Sequence, residues 1–289
     1  GRAEAQAGIV VLGVRLPRLL AALLVGAALA AAGAAYQTLF RNPLVSPDIL
    51  GVSAGAGLGA VLGIFLSLPV AGIQLAAFAG GLGAVALVMV VAGAIRHADP
   101  TLVLVLTGVV IGALAGAATS LLKVLADPYD QLPAITFWLL GSLAAVTDGD
   151  VLPALPAVLL GLVPLVLLRW RINVLAMGDE EARALGIEAR RLRLLVIVAA
   201  TLVTASVTAL AGVVGWVGLV IPHIARMLTG PGFGRLLPAA ALIGAGYLLI
   251  VDTLARTIAE TEVPLGILTA VIGAPFFIWL LARGRRGWS

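Results

Sequence analysis

The chain has 289 residues, of which 62% are hydrophobic and only 11% are charged, and its mean hydropathy is +1.16. Soluble domains contain roughly 45–50% apolar and about 25% charged residues, so this composition leaves no room for a sizeable soluble domain and predicts an integral membrane protein. There is no cysteine, which excludes disulfide and thiolate chemistry, and the high pI is explained by arginines at span ends better than by nucleic-acid binding.

Long apolar runs follow one another through the whole sequence. A transmembrane helix needs about 20 apolar residues, and in chain order the candidate runs fall near 19–40, 51–68, 70–95, 101–125, 151–168, 194–217, 235–256 and 264–282. A shorter run, 218–228, contains Pro222 and His223, and 133–147 is long enough only for a partly inserted helix. The sequence therefore predicts an all-α polytopic bundle that forms a single transmembrane domain over 1–289.

A polar elbow, RNPLVSPDILGVSAGAGLGA, separates the first two runs at 41–60. Pro43 and Pro47 each fix their own φ and bias the preceding residue away from helix, so the elbow is predicted to be stiff. Its glycines do not form a nucleotide loop, because no strand precedes them. Gly55 and Gly59 instead fit the small-xxx-small pattern of closely packed membrane helices.

The basic residues indicate an orientation. If the elbow is cytoplasmic and the spans alternate, most arginines fall on the cytoplasmic side, as the positive-inside rule requires. Arg2, Arg15, Arg18, Lys123 and Arg256 then fall outside. The first run starts outside in this arrangement, so a cytoplasmic N-terminus requires one further span upstream of the sequence.

The longest polar interruption is RINVLAMGDEEARALGIEARRLR, from Arg171 to Arg193. Acidic residues at 179–181 open a predicted short helix, Arg183 lies in its next turn, and this order suits the helix dipole. Gly186 permits a sharp break, after which a second short basic helix is predicted. Two interpretations stay open: a solvated loop, and an ordered docking surface for a cytoplasmic partner.

Charged and nucleophilic residues elsewhere favour transport over catalysis. Asp252 and Arg256 are one helical turn apart, which predicts either a local ion pair or, for Arg256, an external basic cluster with Arg15 and Arg18. Proton-coupled carriers usually place carboxylates in mid-membrane, and no such series is found. Neither an HExxH motif nor a Ser–His pair is present, and His97 and His223 are too far apart in sequence to suggest a metal site.

Four stretches in order resemble the FecCD-type permeases of type II ABC importers. They are the run from RLPRLL through the elbow, MGDEEARALGIEARRLR, GWVGLVIPHIARMLTG and VPLGILTAVIGAPFFIWLL. The resemblance covers essentially the whole chain and implies the type II permease fold, with ten spans per subunit in the family. The first of those spans is expected to be missing from this sequence.

The resemblance also implies roles for particular residues. The coupling segment for the ATPase matches Gly178, Asp179, Glu180, Glu181, Arg183, Ala184, Leu185 and Gly186, within the 171–193 loop. Docking of a substrate-binding protein matches Arg15, Arg18 and Arg256. A cytoplasmic gate matches Asn42 and Leu44 on the elbow, with Thr101 and Leu102 on a weaker local match.

The implied assembly is a homodimer in the bacterial inner membrane with two ABC ATPase subunits and an external binding protein. No cofactor is expected in this chain, since ATP and Mg²⁺ belong to the ATPase. The expected cargo is a metal chelate, namely siderophore-bound iron, haem or cobalamin, with molybdate or tungstate as the alternative. An ATP-independent carrier is the rival class, and it has no use for an ordered coupling segment.

Overall fold

The computed structural model describes residues 11–95 and 99–283, and the regular elements in these ranges are helices. A turn of π-helix, Val11–Arg15, leads into α1, and a 3-10 turn, Pro47–Leu50, precedes α2. The α-helices are α1 (Leu16–Leu39), α2 (Val52–Phe65), α3 (Val70–Ala94), α4 (Pro100–Leu125), α5 (Gln131–Leu140), α6 (Asp148–Leu167), α7 (Arg169–Met177), α8 (Asp179–Ala184), α9 (Ala189–Ala211), α10 (Val217–Thr229), α11 (Phe233–Thr257) and α12 (Leu265–Arg283).

Six of the helices in the described part of the chain are long and apolar enough to cross a membrane: α1, α3, α4, α6, α9 and α11. The predicted runs 51–68 and 264–282 form the shorter apolar helices α2 and α12, and 218–228 forms α10. The partly inserted helix predicted at 133–147 is α5, which ends at Leu140. The predicted all-helical polytopic fold is therefore confirmed.

The bundle has two distinct ends, because α1 and α11 pack antiparallel, with Gly26 against Gly244 and Arg18 against Asp252. The elbow end holds the 41–50 elbow, α7, α8 and the starts of α9 and α11, where Asn173 accepts a hydrogen bond from the Phe233 N–H. The other end holds the start of α1 and the end of α11, and is called the ion-pair end for the contacts of Arg18 described below. Arg2, Arg96, His97, Arg285 and Arg286 lie outside the described residues.

Two helices, α1 and α9, form the centre of the bundle. In their most apolar windows 72% and 78% of the residues are buried, against 22% for α3, α4 and α6. A helix that is apolar on every side is typical of such an interior position. The peripheral helices keep broad exposed apolar faces, which suit contact with lipid or with another membrane subunit.

A very close helix contact joins α2 to α3 through small residues. A Cβ on Gly59 would lie 2.0 Å from the Ala76 carbonyl oxygen, and one on Gly55 would lie 2.4 Å from the Gly80 oxygen. Only glycine allows backbones to approach this closely. The interpretation of Gly55 and Gly59 as helix-packing residues, rather than as part of a nucleotide loop, is confirmed.

We expect Gly59→Val to destabilise the folded protein by roughly 1–3 kcal/mol or more, because the backbone of α3 must move to admit the side chain. Gly83→Val is the matched control, since a Cβ at Gly83 meets nothing within 4 Å. Thermal unfolding in detergent measures the difference. Equal losses of stability in the two variants would contradict the packing argument.

The structure corrects the prediction for the region 186–217. The second short basic helix does not exist as a separate element: Ala189 starts α9, which continues without a break to Ala211. Its arginines are good helix formers, and neither proline nor glycine interrupts the run from Ala189 to Ala211. The predicted span 194–217 also ends early, because Gly212 (φ +72°) turns the chain before α10 begins at Val217.

Candidate functional site

The predicted coupling segment forms a compact projection at the elbow end. Glu180, Glu181, Arg183 and Leu185 are exposed, and Leu185 keeps 57% of its surface accessible. Gly186 has φ +73° and donates its N–H to the Arg183 carbonyl, while Ile187 donates to the Ala182 carbonyl. This is a Schellman ending, in which a glycine in the left-handed region closes the helix.

Two contacts fix α8 onto the bundle. An Arg193 Nη2 donates to Asp179 Oδ1 at 2.9 Å, which ties the first residue of α8 to the first turns of α9. Ala182 is fully buried and Ile187 nearly so, which anchors the inner face of the projection. The segment 178–186 is thus an ordered helix with a charged outer face, and of the two interpretations the solvated loop is the less well supported.

Helix α7 was not predicted. Residues 171–177, predicted to begin a loop, belong to a helix whose buried residues are Ile172, Val174 and Leu175. Ile172 and Leu175 have the i, i+3 spacing of a helix face, and this pair was the available sequence signal. This helix connects the end of α6 to the projection.

The elbow is held in place by its own buried residues and by the helices packed against it. Val45, Pro47 and Leu50 are buried, and Gly51 (φ +78°) makes the turn into α2. A Cβ on Gly108 of α4 would lie 2.2 Å from the Ile49 carbonyl oxygen, and one on Gly218 of α10 would lie 2.8 Å from Pro47 Cδ. The elbow therefore sits directly against both α4 and α10.

The four predicted gate residues all lie at the elbow end. Leu44 and Leu102 are exposed, with 42% and 54% of their surfaces accessible. The side chain of Asn42 is turned into its own loop, where Oδ1 accepts the Leu44 N–H at 2.9 Å. Thr101 is half-buried in the first turn of α4, whose Leu102 N–H is capped by Asp99 at 2.8 Å. Within this chain alone the role of Asn42 is to hold the turn, and gating stays a prediction.

At the opposite end the structure changes the interpretation of Arg18. Its Nε and Nη2 atoms donate to Asp252 Oδ1 at 2.9 and 2.7 Å, and its Nη1 and Nη2 atoms donate to Glu262 at 2.9 and 2.7 Å. The Arg18 side chain is 10% exposed and Asp252 is fully buried. Arg18 is therefore not the exposed cation that was expected, because two carboxylates of the same chain already bind it, and its role in docking stays a prediction.

Arg15 and Arg256 differ from Arg18 in exposure. Arg15 is exposed at the end of the π-helical turn. Arg256 keeps about a third of its side chain accessible, with Nε 3.3 Å from Asp252 Oδ2. The local ion pair predicted between Asp252 and Arg256 is present, but Arg18 is the closer partner of Asp252.

The sequence did not predict a role for Glu262 or Ser142. Glu262 accepts from Arg18, and the Ser142 hydroxyl donates to Glu262 Oε1 at 3.2 Å. The available signal was a carboxylate placed three residues before an apolar helix, where a charge requires a partner. The identity of that partner, 244 positions away in sequence, could not be read from the chain.

The fold and these surfaces define a multi-pass membrane protein with an ordered projection at one end. A family model described as the FecCD transport family matches residues 1–283. The chain is 42% identical to the molybdate import system permease protein MolB of Haemophilus influenzae, over 96% of this chain and 82% of that protein. It is 43% identical to a probable iron chelatin transport system permease protein of Helicobacter pylori, over 96% and 83%.

A solved structure described as an inward-facing conformation of a metal-chelate type ABC transporter superimposes with a TM-score of 0.91. The two chains are 41% identical, and the match covers 97% of this chain and 89% of the other. The chain belongs to the FecCD transport family. The resemblance drawn from the four sequence stretches is confirmed.

Proposed function

We propose that the chain is the membrane subunit of an ATP-driven importer that moves a metal chelate across the bacterial inner membrane. Two copies form the pathway, two ABC ATPases hold ATP and Mg²⁺ beneath it, and an external binding protein delivers the cargo. Relatives described as permeases for iron chelatin, hemin and Fe(3+) dicitrate, each at least 40% identical, support a chelate as cargo.

The observation that carries the proposal is the anchored projection 178–186. A flexible loop transmits no force, whereas a helix held by the Asp179–Arg193 contact and a buried Ala182 moves with α9. Because α9 is a central helix, a displacement of the projection reaches the middle of the bundle. An ATP-independent carrier gains nothing from this arrangement.

The proposed orientation places the elbow end in the cytoplasm. That end carries exposed arginines on α7, α8, α9 and α11, including Arg169, Arg171, Arg190 and Arg235. The ion-pair end carries fewer basic residues in the described part of the chain. This asymmetry agrees with the positive-inside rule, and it puts the projection on the side where ATP is available.

Reconstitution with a cognate ABC ATPase and a binding protein tests the proposal. Proteoliposomes that hold ATP on the side of the projection should take up a radioactive iron chelate, and a Walker-deficient ATPase should stop the uptake. Uptake that continues without any ATPase would support the carrier interpretation and overturn the proposal.

Molybdate stays the second candidate cargo, because the molybdate permease MolB is as similar as the iron chelatin relatives. The same vesicles distinguish the two. In a chelate importer, uptake of the labelled chelate should be inhibited by an excess of unlabelled chelate and unaffected by molybdate. ATP-driven uptake of labelled molybdate, with no uptake of the chelate, would assign the oxyanion as cargo and leave the ATP-driven mechanism intact.

Arg15 and Arg256 are the proposed contacts for an acidic binding protein. Exposed ion pairs contribute only roughly 0–1 kcal/mol each, but together they accelerate association at low salt. We expect Arg15→Glu with Arg256→Glu to slow association at low ionic strength and to change it little at high salt. Surface plasmon resonance with nanodisc-embedded permease measures the rates.

The control for this experiment is Arg169→Glu with Arg235→Glu, which makes the same change of charge at the elbow end. A general electrostatic effect of net charge would slow association equally in both variants. That result would contradict docking at the ion-pair end.

A further inference from the structure

We propose that Glu262 is an internal latch: it occupies Arg18 while the permease is unengaged, and an acidic residue of the docked binding protein displaces it. The proposal rests on the proposed function, because it requires a binding protein at the ion-pair end. It adds a consequence of docking, namely release of the 258–264 segment between α11 and α12.

The latch has one fixed and one replaceable carboxylate. Asp252 is fully buried and Arg18 binds it through Nε and Nη2, so this pair is a permanent part of the core. Glu262 is bound by Nη1 and Nη2, yet 22% of its side chain is exposed. A carboxylate that already touches water loses less on leaving than one that is completely desolvated.

The charges around Arg18 require an incoming carboxylate to replace Glu262, because a third carboxylate cannot be added beside the two already there. Arg18 already faces the two carboxylates of Asp252 and Glu262, and Arg256 provides one further positive charge at 3.3 Å from Asp252. A third carboxylate at Arg18 would create an uncompensated negative charge in a partly buried site. An incoming acid that reaches Arg18 must therefore take the place of Glu262.

The segment held by Glu262 joins three parts of the ion-pair end. The Ser142 hydroxyl of the α5–α6 connection donates to Glu262 at 3.2 Å. The Leu265 N–H at the start of α12 donates to the Gly141 carbonyl at 2.9 Å, and the Val263 N–H donates to the Ala255 carbonyl at 3.0 Å. Displacing Glu262 removes the charged contact that holds these ends against α1.

Hydrogen exchange of the peptides covering 258–268 tests the latch. Simple docking protects the covered backbone, whereas the latch predicts that adding the binding protein accelerates exchange at Val263 and Leu265 in the wild-type permease. Glu262→Gln should show exchange about tenfold faster without any partner, because local opening becomes easier. Glu260→Gln, which removes the same charge two residues away, should behave as wild type.

Affinity for the binding protein provides a second readout. Glu262→Gln should bind it more tightly than Glu260→Gln does, since no internal carboxylate competes for Arg18. Equal affinities, or docking that slows exchange at Val263 and Leu265, would overturn the latch.

A variant that retains the carboxylate keeps the test sharp if Glu262→Gln folds poorly. Ser142→Ala removes the hydroxyl that donates to Glu262, so it should accelerate exchange at Val263 and Leu265 without any partner, though by less than Glu262→Gln does. Exchange in Ser142→Ala that equals wild type would overturn the latch while leaving the importer proposal standing. A wild-type permease that neither binds the partner nor transports would overturn both.

Discussion

Glu180→Lys with Glu181→Lys is expected to abolish ATP-driven uptake while the permease still inserts and folds. Both carboxylates are exposed on the outer face of α8, where the ATPase is proposed to dock. Like charges facing each other across an interface cost several kcal/mol, so uptake should fall at least about tenfold even at saturating ATP. Uptake into proteoliposomes and co-purification of the ATPase measure the loss.

The double reversal needs a control for its change in net charge. Asp130→Lys with Glu260→Lys alters two exposed carboxylates at the ion-pair end by the same amount. This control should keep the ATPase bound and its hydrolysis coupled to uptake. If the two double variants transported equally well, α8 would be a solvated helix and the docking assignment would fail.

A milder substitution tests the anchor of α8 without changing the docking face. Asp179→Asn leaves the outer face of α8 unchanged but weakens the contact with Arg193. The ATPase should still bind, while hydrolysis should continue with less uptake, because the projection no longer moves firmly with α9. This partial uncoupling would distinguish transmission of motion from simple attachment.

Local sequence chemistry predicted the features that depend on a few neighbouring residues. Gly186 was recognised as a helix-ending residue, and Gly55 and Gly59 as packing residues, because one missing Cβ decides each case. The acidic residues at 179–181 placed the start of α8, because negative charge is favourable at a helix N-terminus. These signals act within one or two helical turns, so they can be read from the sequence without knowledge of the fold.

Long-range contacts and continuous helices were harder to predict. Arg18 resembled an exposed cation because its partners, Asp252 and Glu262, are 234 and 244 positions away. The charged start of α9 was interpreted as a separate element because charge suggested loop, although arginine propagates a helix well. The turn at Gly212 was missed because it lies within an uninterrupted apolar run, where hydropathy carries no information about backbone direction.

The elbow connects the proposed coupling and gating regions through packing. Its residues Ile49 and Pro47 contact Gly108 of α4 and Gly218 of α10, at distances that leave no space for a side chain. When α4 or α10 moves, the elbow must move with that helix, because close-packed interiors transmit displacement instead of absorbing it. The exposed leucines on the elbow and on α4 would then change position together.

We expect a cysteine at position 44 to crosslink the two copies of the dimer when the cytoplasmic end is closed, and to lose the crosslink severalfold when the ATPase cycle opens it. Leu44 is exposed on a stiff elbow, so its partner is available only in a second molecule. Position 42 should react more weakly, because Asn42 is turned towards the Leu44 N–H. The chain has no native cysteine, so each product reports a single site.

Leu167→Cys is the control for mere exposure. This residue is 74% exposed at the same end, but it belongs to α6, which packs on α9, and should not crosslink in any nucleotide state. Leu102→Cys should follow the pattern of position 44 if the first turn of α4 belongs to the same gate. If the cysteine at position 44 gave no crosslinked product in any nucleotide state, and the cysteine at position 167 gave none either, the elbow would lie away from the dimer axis. The Asn42 turn would then be a structural connection between α1 and α2 whose side chain serves only its own backbone.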